Sequence, residues 1–220
     1  LVIKETRIDA IDGLVDLYQT VFDARFLDAA AELADVMIAR FGDTEAGGFF
    51  YTSDDHEQLI ARYKDTQDNA TPSGNATAAT TLLKLARLTG DATYDDAAVG
   101  AVEVLAGQLE RHPLSGGQAL LAVEFLLGPA EEIVVAGGDA GASRAILALL
   151  HRSFRPNKVV AVRPDCRDAE LPPRLRELLS GKMPQRGEAT LYLCERGLCR
   201  TPVSGIDAVR DLLANPTPDP

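Results

Sequence analysis

An internal repeat narrows the choice of fold before any other property of this chain does. Leu17 to Ala30 reads LYQTVFDARFLDAA, and Leu85 to Ala98 reads LARLTGDATYDDAA. Asp23 aligns with Asp91, Phe26 with Tyr94 and the Ala29-Ala30 pair with Ala97-Ala98, all at an offset of 68 residues. Each copy carries a helix end, an Asp placed to cap the next helix, an aromatic residue three positions on, and a small pair that lets helices approach. Two αα-hairpins of the same make predict a helical solenoid or toroid.

Periodicity predicts helices over Ile8–Thr20, Arg25–Phe41, Ser73–Leu88, Asp91 to about Glu110, and Gln118–Leu127. In the first, Ile8, Ile11, Leu14, Val15 and Tyr18 share a face wider than one partner helix covers. An apolar patch is therefore expected there. After Gly128-Pro129 the pattern changes. Strands are predicted at Glu132–Ala136, Lys158–Val162, Thr190–Cys194 and Cys199–Val203. Helices are predicted at Ala142–Phe154 and Leu171–Leu179, and from a capping box at Ser204–Asp207 to about Ala214. The expected organisation is mainly α. A partial α/α toroid spans 1–128, a small α/β unit spans 129–214, and a Pro-rich tail covers 215–220.

The polar chemistry gathers between the second and third helices, in GGFFYTSDDHEQLIARYKDTQDNATPSGN from Gly47 to Asn75. Such a long connection suits either a binding loop or a solvated surface hairpin. Phe49–Thr52 and Leu59–Lys64 predict an inserted β-hairpin with Ser53–Glu57 at its turn. Thr71 and Pro72 predict the N-cap and first residue of the next helix. Asp54, Asp55, His56 and Glu57 suit acid–base work or metal ligation, and equally a polar tip. Arg62 and Lys64 would share a strand face, and Asp65 and Asp68 follow. These groups can bind a polyhydroxylated or anionic ligand, or pair with one another. Two carboxylates across one bond are what glycoside hydrolysis needs. Ser73, Gly74 and Asn75 open a helix and can meet an anion or act as a plain cap.

Outside that stretch the signals are thinner. Gly137–Gly141 lacks the dinucleotide spacing and reads as a structural turn. Cys194 and Cys199 bracket a four-residue turn, so they form a disulfide and possible redox pair or stay two packed thiols. Cys166 has no evident partner. A net charge of −11 argues against nucleic acid and anionic membrane as partners. No apolar run is long enough to span a membrane and no signal peptide is visible, which suits a cytoplasmic protein. The first residue is Leu1, not Met, so the true N-terminus is expected upstream. No metal or cofactor is called for.

Several runs together carry a resemblance. They are Asp12-Gly13-Leu14 with Leu17-Tyr18, and Gly47-Gly48-Phe49-Phe50 through Asp54-Asp55-His56-Glu57. To these add Arg62-x-Lys64-Asp65-x-x-Asp68, Thr71-Pro72-Ser73-Gly74-Asn75 and Leu88-Thr89-Gly90-Asp91. Leu127-Gly128-Pro129 and Tyr192-x-Cys194 with Cys199-x-x-Pro202-Val203 extend the likeness. The chain resembles, from Asp12 to about Leu213, the C-terminal part of the spermatogenesis-associated, thioredoxin-domain-containing family, whose bacterial members are the YyaL-like proteins. It departs from the family at Asn69, at Ala76 and at Ile8–Ile11, where Gly, Ser and an aromatic pair are expected.

The resemblance implies a toroid of the six-hairpin glycosidase type, with a thioredoxin-like domain upstream that is missing here. It implies handling of a carbohydrate or another polar small molecule. Asp55, Asp65 and Asp68 become acid–base candidates, with His56 as proton relay or ligand contact. Arg62, Lys64, Ser73 and Asn75 become substrate-binding candidates. A non-catalytic scaffold for a redox domain is the other reading. Two and a half hairpins against six imply a chain inactive by itself.

Overall fold

The computed structural model describes residues 4–55, 61–137 and 140–214. It divides into two compact units, Leu1–Gly128 and Pro129–Pro220.

Among the described residues the first unit is helix and loop: α1 (Lys4–Val21), α2 (Ala24–Phe41), α3 (Gly74–Thr89), α4 (Ala92–Arg111) and α5 (Gly117–Leu127). The repeat is visible in its caps. Asp23 accepts from the Arg25 N–H at the start of α2, and Asp91 from the Thr93 N–H at the start of α4. Ala30 and Ala98, equivalent in the repeat, are both fully buried. The chain is thus mainly α, with αα-hairpins of α/α-toroid type.

The two hairpins pack α1 on α3. There Lys84 reaches Asp12 and Asp16 at 3.2 Å each, and the Thr81 hydroxyl donates to Asp12 at 3.0 Å. From α4 the Tyr94 hydroxyl donates to Asp35 of α2 at 2.7 Å. Ala76, Leu105 and Ala119 bring α3, α4 and α5 together in one small-residue cluster. Among the described residues the apolar patch expected on α1 is covered, with Leu14 half-buried. Ile8, Ile11, Val15 and Tyr18 are at most 1% exposed, because α1 has two partners, α2 and α3.

Helix α3 also starts later than Thr71 and Pro72 predict. Its N-cap is Ser73, whose hydroxyl accepts from the Ala76 N–H at 3.1 Å. The N–H groups of Ser73 and Gly74 are held by carboxylates from the preceding loop, which sets the start of the helix there.

The second unit holds a mixed sheet: β1 (Glu131–Ala136), β2 (Lys158–Arg163), β3 (Thr190–Glu195), β4 (Leu198–Cys199) and β5 (Val203–Ser204). The order is β2-β1-β3-β4, with β5 also on β3. Strands β1 and β2 are parallel and joined through α6 (Ala140–Arg152), while β3 is antiparallel to β1. Gly137 turns the chain after β1 with φ +66°, and a Cβ there would lie 2.3 Å from Pro184. The predicted helix over Leu171–Leu179 shrinks to a 3₁₀ turn and the single turn α7 (Arg176–Leu179). Leu171 and Pro172 each precede a proline and are held in extended backbone at ψ +145° and +129°, so no helix starts before Pro173. Helix α8 (Ile206–Ala214) forms, but the Ser204 hydroxyl bonds Thr190 across the strands at 3.0 Å and does not build the predicted capping box.

Strands β3 and β4 join through Arg196 and Gly197, at φ +50° and +76°. Two left-handed residues between paired strands make the tight hairpin turn that suits strand twist. Cys194 and Cys199 face each other in register and form a disulfide. Their Cα atoms are 3.8 Å apart, closer than the roughly 4.4–6.8 Å that sequence reasoning sets. The Arg200 N–H donates to Leu193 O on one side, which leaves the cysteines at a non-hydrogen-bonded position, where facing strands come nearest.

Among the described residues, no helix is long and apolar enough to cross a membrane.

Candidate functional site: the loop between α2 and α3

The loop leaves α2 through Gly42 and turns at Gly47 and Gly48, with φ +71° and +67°. A Cβ on Gly47 would lie 2.8 Å from the Gly100 carbonyl of α4, so the loop backbone lies directly against that helix. Asp43 organises the turn, accepting from the N–H groups of Glu45 and Ala46 at 3.0 Å each. It also pairs with Lys64 at 2.8 Å, both side chains being 15% exposed. The Lys64 hydrogen bond, with those two peptide donors, lowers the Asp43 carboxyl to about 2.

Lys64 also donates to the Gly47 carbonyl at 2.5 Å. Arg62 donates to Thr52 O at 2.5 Å and to Arg40 O at 3.3 Å. Both cations lie over the Phe50 ring, Arg62 at 4.1 Å and Lys64 at 5.2 Å from its centroid. They do share a face, as their spacing predicts, and Phe50 is what they share it with.

The arms of the expected β-hairpin approach each other. The Tyr51 N–H donates to Tyr63 O at 2.8 Å, and the two rings stack at 4.9 Å and 17°. No strand ladder extends from this contact among the described residues. The Thr52 and Gly47 carbonyls are taken by Arg62 and Lys64 side chains instead of by a facing strand.

Four predicted residues converge on the N-terminus of α3. Asn75 is fully buried and makes three bonds. It accepts from the Phe49 N–H at 2.7 Å and donates to Phe49 O at 3.0 Å and Asp65 O at 2.7 Å. Asp65 accepts from the Gly74 N–H at 3.0 Å. Asp68 accepts from the Ser73 N–H at 2.8 Å with one oxygen and from the Gln118 N–H of α5 at 2.9 Å with the other. Ser73 is the cap itself. These carboxylates sit in the positive ends of two helices, where capping is the chemistry they perform.

Asp54 and Asp55 are exposed, and Asp54 meets Arg40 at 3.4 Å. His56 and Glu57 lie outside the described residues. A concavity around Asp55 and His56 is therefore not among the described features.

A cleft of about 340 Å³ does open beside the loop, lined by Asp43, Thr44, Gly48, Phe49, Thr93 and Asp96. A wider groove of about 610 Å³ lies beyond Asp68, along Gln67, Gln108, Arg111 and His112. Sequence reasoning passed over Asp43, Phe50 and the Tyr51–Tyr63 pair. An Asp four residues before a Gly pair was the available signal for the first. Among the described residues no group of three His, Cys, Asp or Glu gathers as a metal site.

Residues 3–119 match glycosyl hydrolase family 47. The chain is also similar to spermatogenesis-associated protein 20 of Rattus norvegicus, 29% identical over 205 residues, covering 92% of this chain and 26% of that protein. The same protein of Homo sapiens is 29% identical over the same shares. An uncharacterized protein of Caenorhabditis elegans, B0495.5, is 22% identical over 204 residues, covering 92% of this chain and 27% of its own. The resemblance read from the motifs thus holds over nearly the whole chain. The chain spans about a quarter of the length of the curated relatives it matches.

Proposed function

The chain belongs to glycosyl hydrolase family 47, and from that membership we propose that its helical unit binds a carbohydrate at the loop between α2 and α3. The observation that carries this is the span of the family match, which takes in α1 to α4 and the whole loop. The Tyr51–Tyr63 stack supports it. Tyr63 is 58% exposed, and an exposed aromatic face suits the C–H face of a sugar ring. Asp54 and Asp55 are exposed in the same loop and serve as acceptors for hydroxyl groups. Asp55 and His56 are the groups proposed to act on the ligand. Arg62, Lys64, Asp65, Asp68, Ser73 and Asn75 hold the wall in shape. The protein is taken to be cytoplasmic.

A saccharide panel screened by thermal shift, followed by calorimetry, tests this. A saccharide should stabilise the wild type. Tyr63→Ala should weaken its binding about tenfold, the loss expected of one stacking contact worth ~1.4 kcal/mol. Asp55→Asn should weaken it further. A panel without a single stabilising saccharide, or binding indifferent to both substitutions, overturns the proposal.

One observation favours a second reading. Asp65, Asp68, Arg62 and Lys64 already spend their polar atoms within the chain. A loop so occupied suits a non-catalytic docking surface, and a thioredoxin-like domain is its proposed partner. No saccharide binding, with a stable complex with such a domain that Tyr63→Ala weakens, favours this reading over the first.

A further inference from the structure

We infer that the Cys194–Cys199 disulfide is a reversible exchange site, opened by an external dithiol that attacks Cys199. The inference concerns the α/β unit alone and goes beyond the carbohydrate reading, with which it shares no residue.

The two sulfurs are unequally placed. Cys194 is 1% exposed, in the middle of β3. Cys199 is exposed, on a strand only two residues long. The turn that carries it is exposed as well, with Leu198 80% exposed at its shoulder. A thiolate must approach one sulfur in line with the bond it breaks. Only Cys199 offers that approach, so Cys194 is the leaving sulfur.

The surroundings suit reversible opening. The bond closes a loop of six residues, Cys194 to Cys199, so it constrains the unfolded chain less than a long-range disulfide does. Strand β3 is held on its other edge by β1 in register from Glu131 to Ala136, and on the β4 edge by β5 at Thr190 and Leu191. The turn keeps its own tie as well: Glu132 of β1 accepts from the Gly197 N–H at 3.4 Å. The fold around the pair does not depend on the bond. Exposed disulfides of this kind are the labile ones.

The step balances as ordinary exchange. A thiolate of the dithiol attacks Cys199 Sγ and a mixed disulfide forms. The Cys194–Cys199 bond breaks, and Cys194 leaves as a thiolate that takes a proton from water. The second thiolate of the dithiol then attacks its own sulfur in the mixed disulfide and releases the Cys199 thiolate. The dithiol is oxidised by two electrons to its disulfide, and the protein pair is reduced to two thiols.

The test equilibrates the full chain, carrying Cys166→Ser so that one pair titrates, with graded ratios of reduced to oxidised dithiothreitol. Alkylation and mass spectrometry read the pair, and circular dichroism reads the fold. The pair should reduce and reoxidise with the spectrum unchanged. In partial reduction by glutathione, peptide mapping should find the mixed disulfide on Cys199. Under alkylation, the thiol left in Cys194→Ser should react at least ~10-fold faster than the one left in Cys199→Ser. Reduction only together with unfolding, a mixed disulfide on Cys194, or equal alkylation rates would each overturn the inference.

Discussion

Asn75 shows how much of the loop depends on one side chain. It is buried and satisfies the N–H and C=O of Phe49 and the C=O of Asp65. Asn75→Ala leaves two buried backbone groups and one half-buried one without this partner, and the expected loss of stability is about 2–4 kcal/mol. Urea denaturation measures it, and a loss below ~1 kcal/mol would mean water replaces the amide. Asp43 carries a different signature. Its carboxyl titrates near 2 because Lys64 and two peptide N–H groups hold the anion. A depressed carboxylate stabilises the fold above its unfolded value. That contribution is lost as pH falls from about 4 towards 2. Replacing Lys64 by Met should raise the Asp43 midpoint towards the ordinary aspartate range in an NMR titration of the carboxyl carbon. An unmoved midpoint would assign the shift to the peptide donors alone.

Helix α3 and helix α5 share Asp68, and here the structural and catalytic roles of a carboxylate separate by experiment. Asp68→Ala removes a partner from the Ser73 and Gln118 N–H groups at once, at an expected cost of about 2–3 kcal/mol. Asp68→Asn keeps one oxygen acceptor and should cost less. A stability difference in that order, read by chemical denaturation, marks a cap. Two variants as stable as the wild type would return Asp68 to the list of reacting groups. The caps at Asp23 and Asp91 were legible because each acts within two residues of itself. Asp68 was not, since one of its partners lies fifty residues along the chain. The helix over Leu171–Leu179 was misread for a local reason, the Pro172-Pro173 pair, which holds Leu171 and Pro172 in extended backbone despite the apolar spacing.

At the scale of the whole chain, charge sets an expectation independent of any site. With a net charge of −11 the protein should pass a heparin column at physiological salt and leave a DNA probe unshifted. Retention on heparin that salt releases would reveal a basic surface that the composition hides. The helical unit also shows why counting apolar residues on one helix misleads. Ile8, Ile11, Val15 and Tyr18 looked like excess surface for one partner, but they are buried in a helix that packs on both α2 and α3. Contact between α1 and α3 joins segments about seventy residues apart, a distance over which periodicity carries no information.

What the sequence determined by itself was whatever acts over a few residues. The repeat, the Asp caps, the turn to strands after Gly128 and the facing of Cys194 and Cys199 all follow from spacing, because helix and strand periods and short turns are local geometry. The motif runs also disclosed the likeness to spermatogenesis-associated protein 20. The use of each polar side chain was decided only in the tertiary structure. Asp65 and Asp68 read as acid–base candidates while their surroundings were unknown, and they became caps once α3 and α5 brought peptide donors to them. Arg62 and Lys64 read as ligand contacts and became the clamps of a loop lying on Phe50. A charged side chain takes whichever partner the fold brings within about 3 Å, and that partner is not written beside it in the chain.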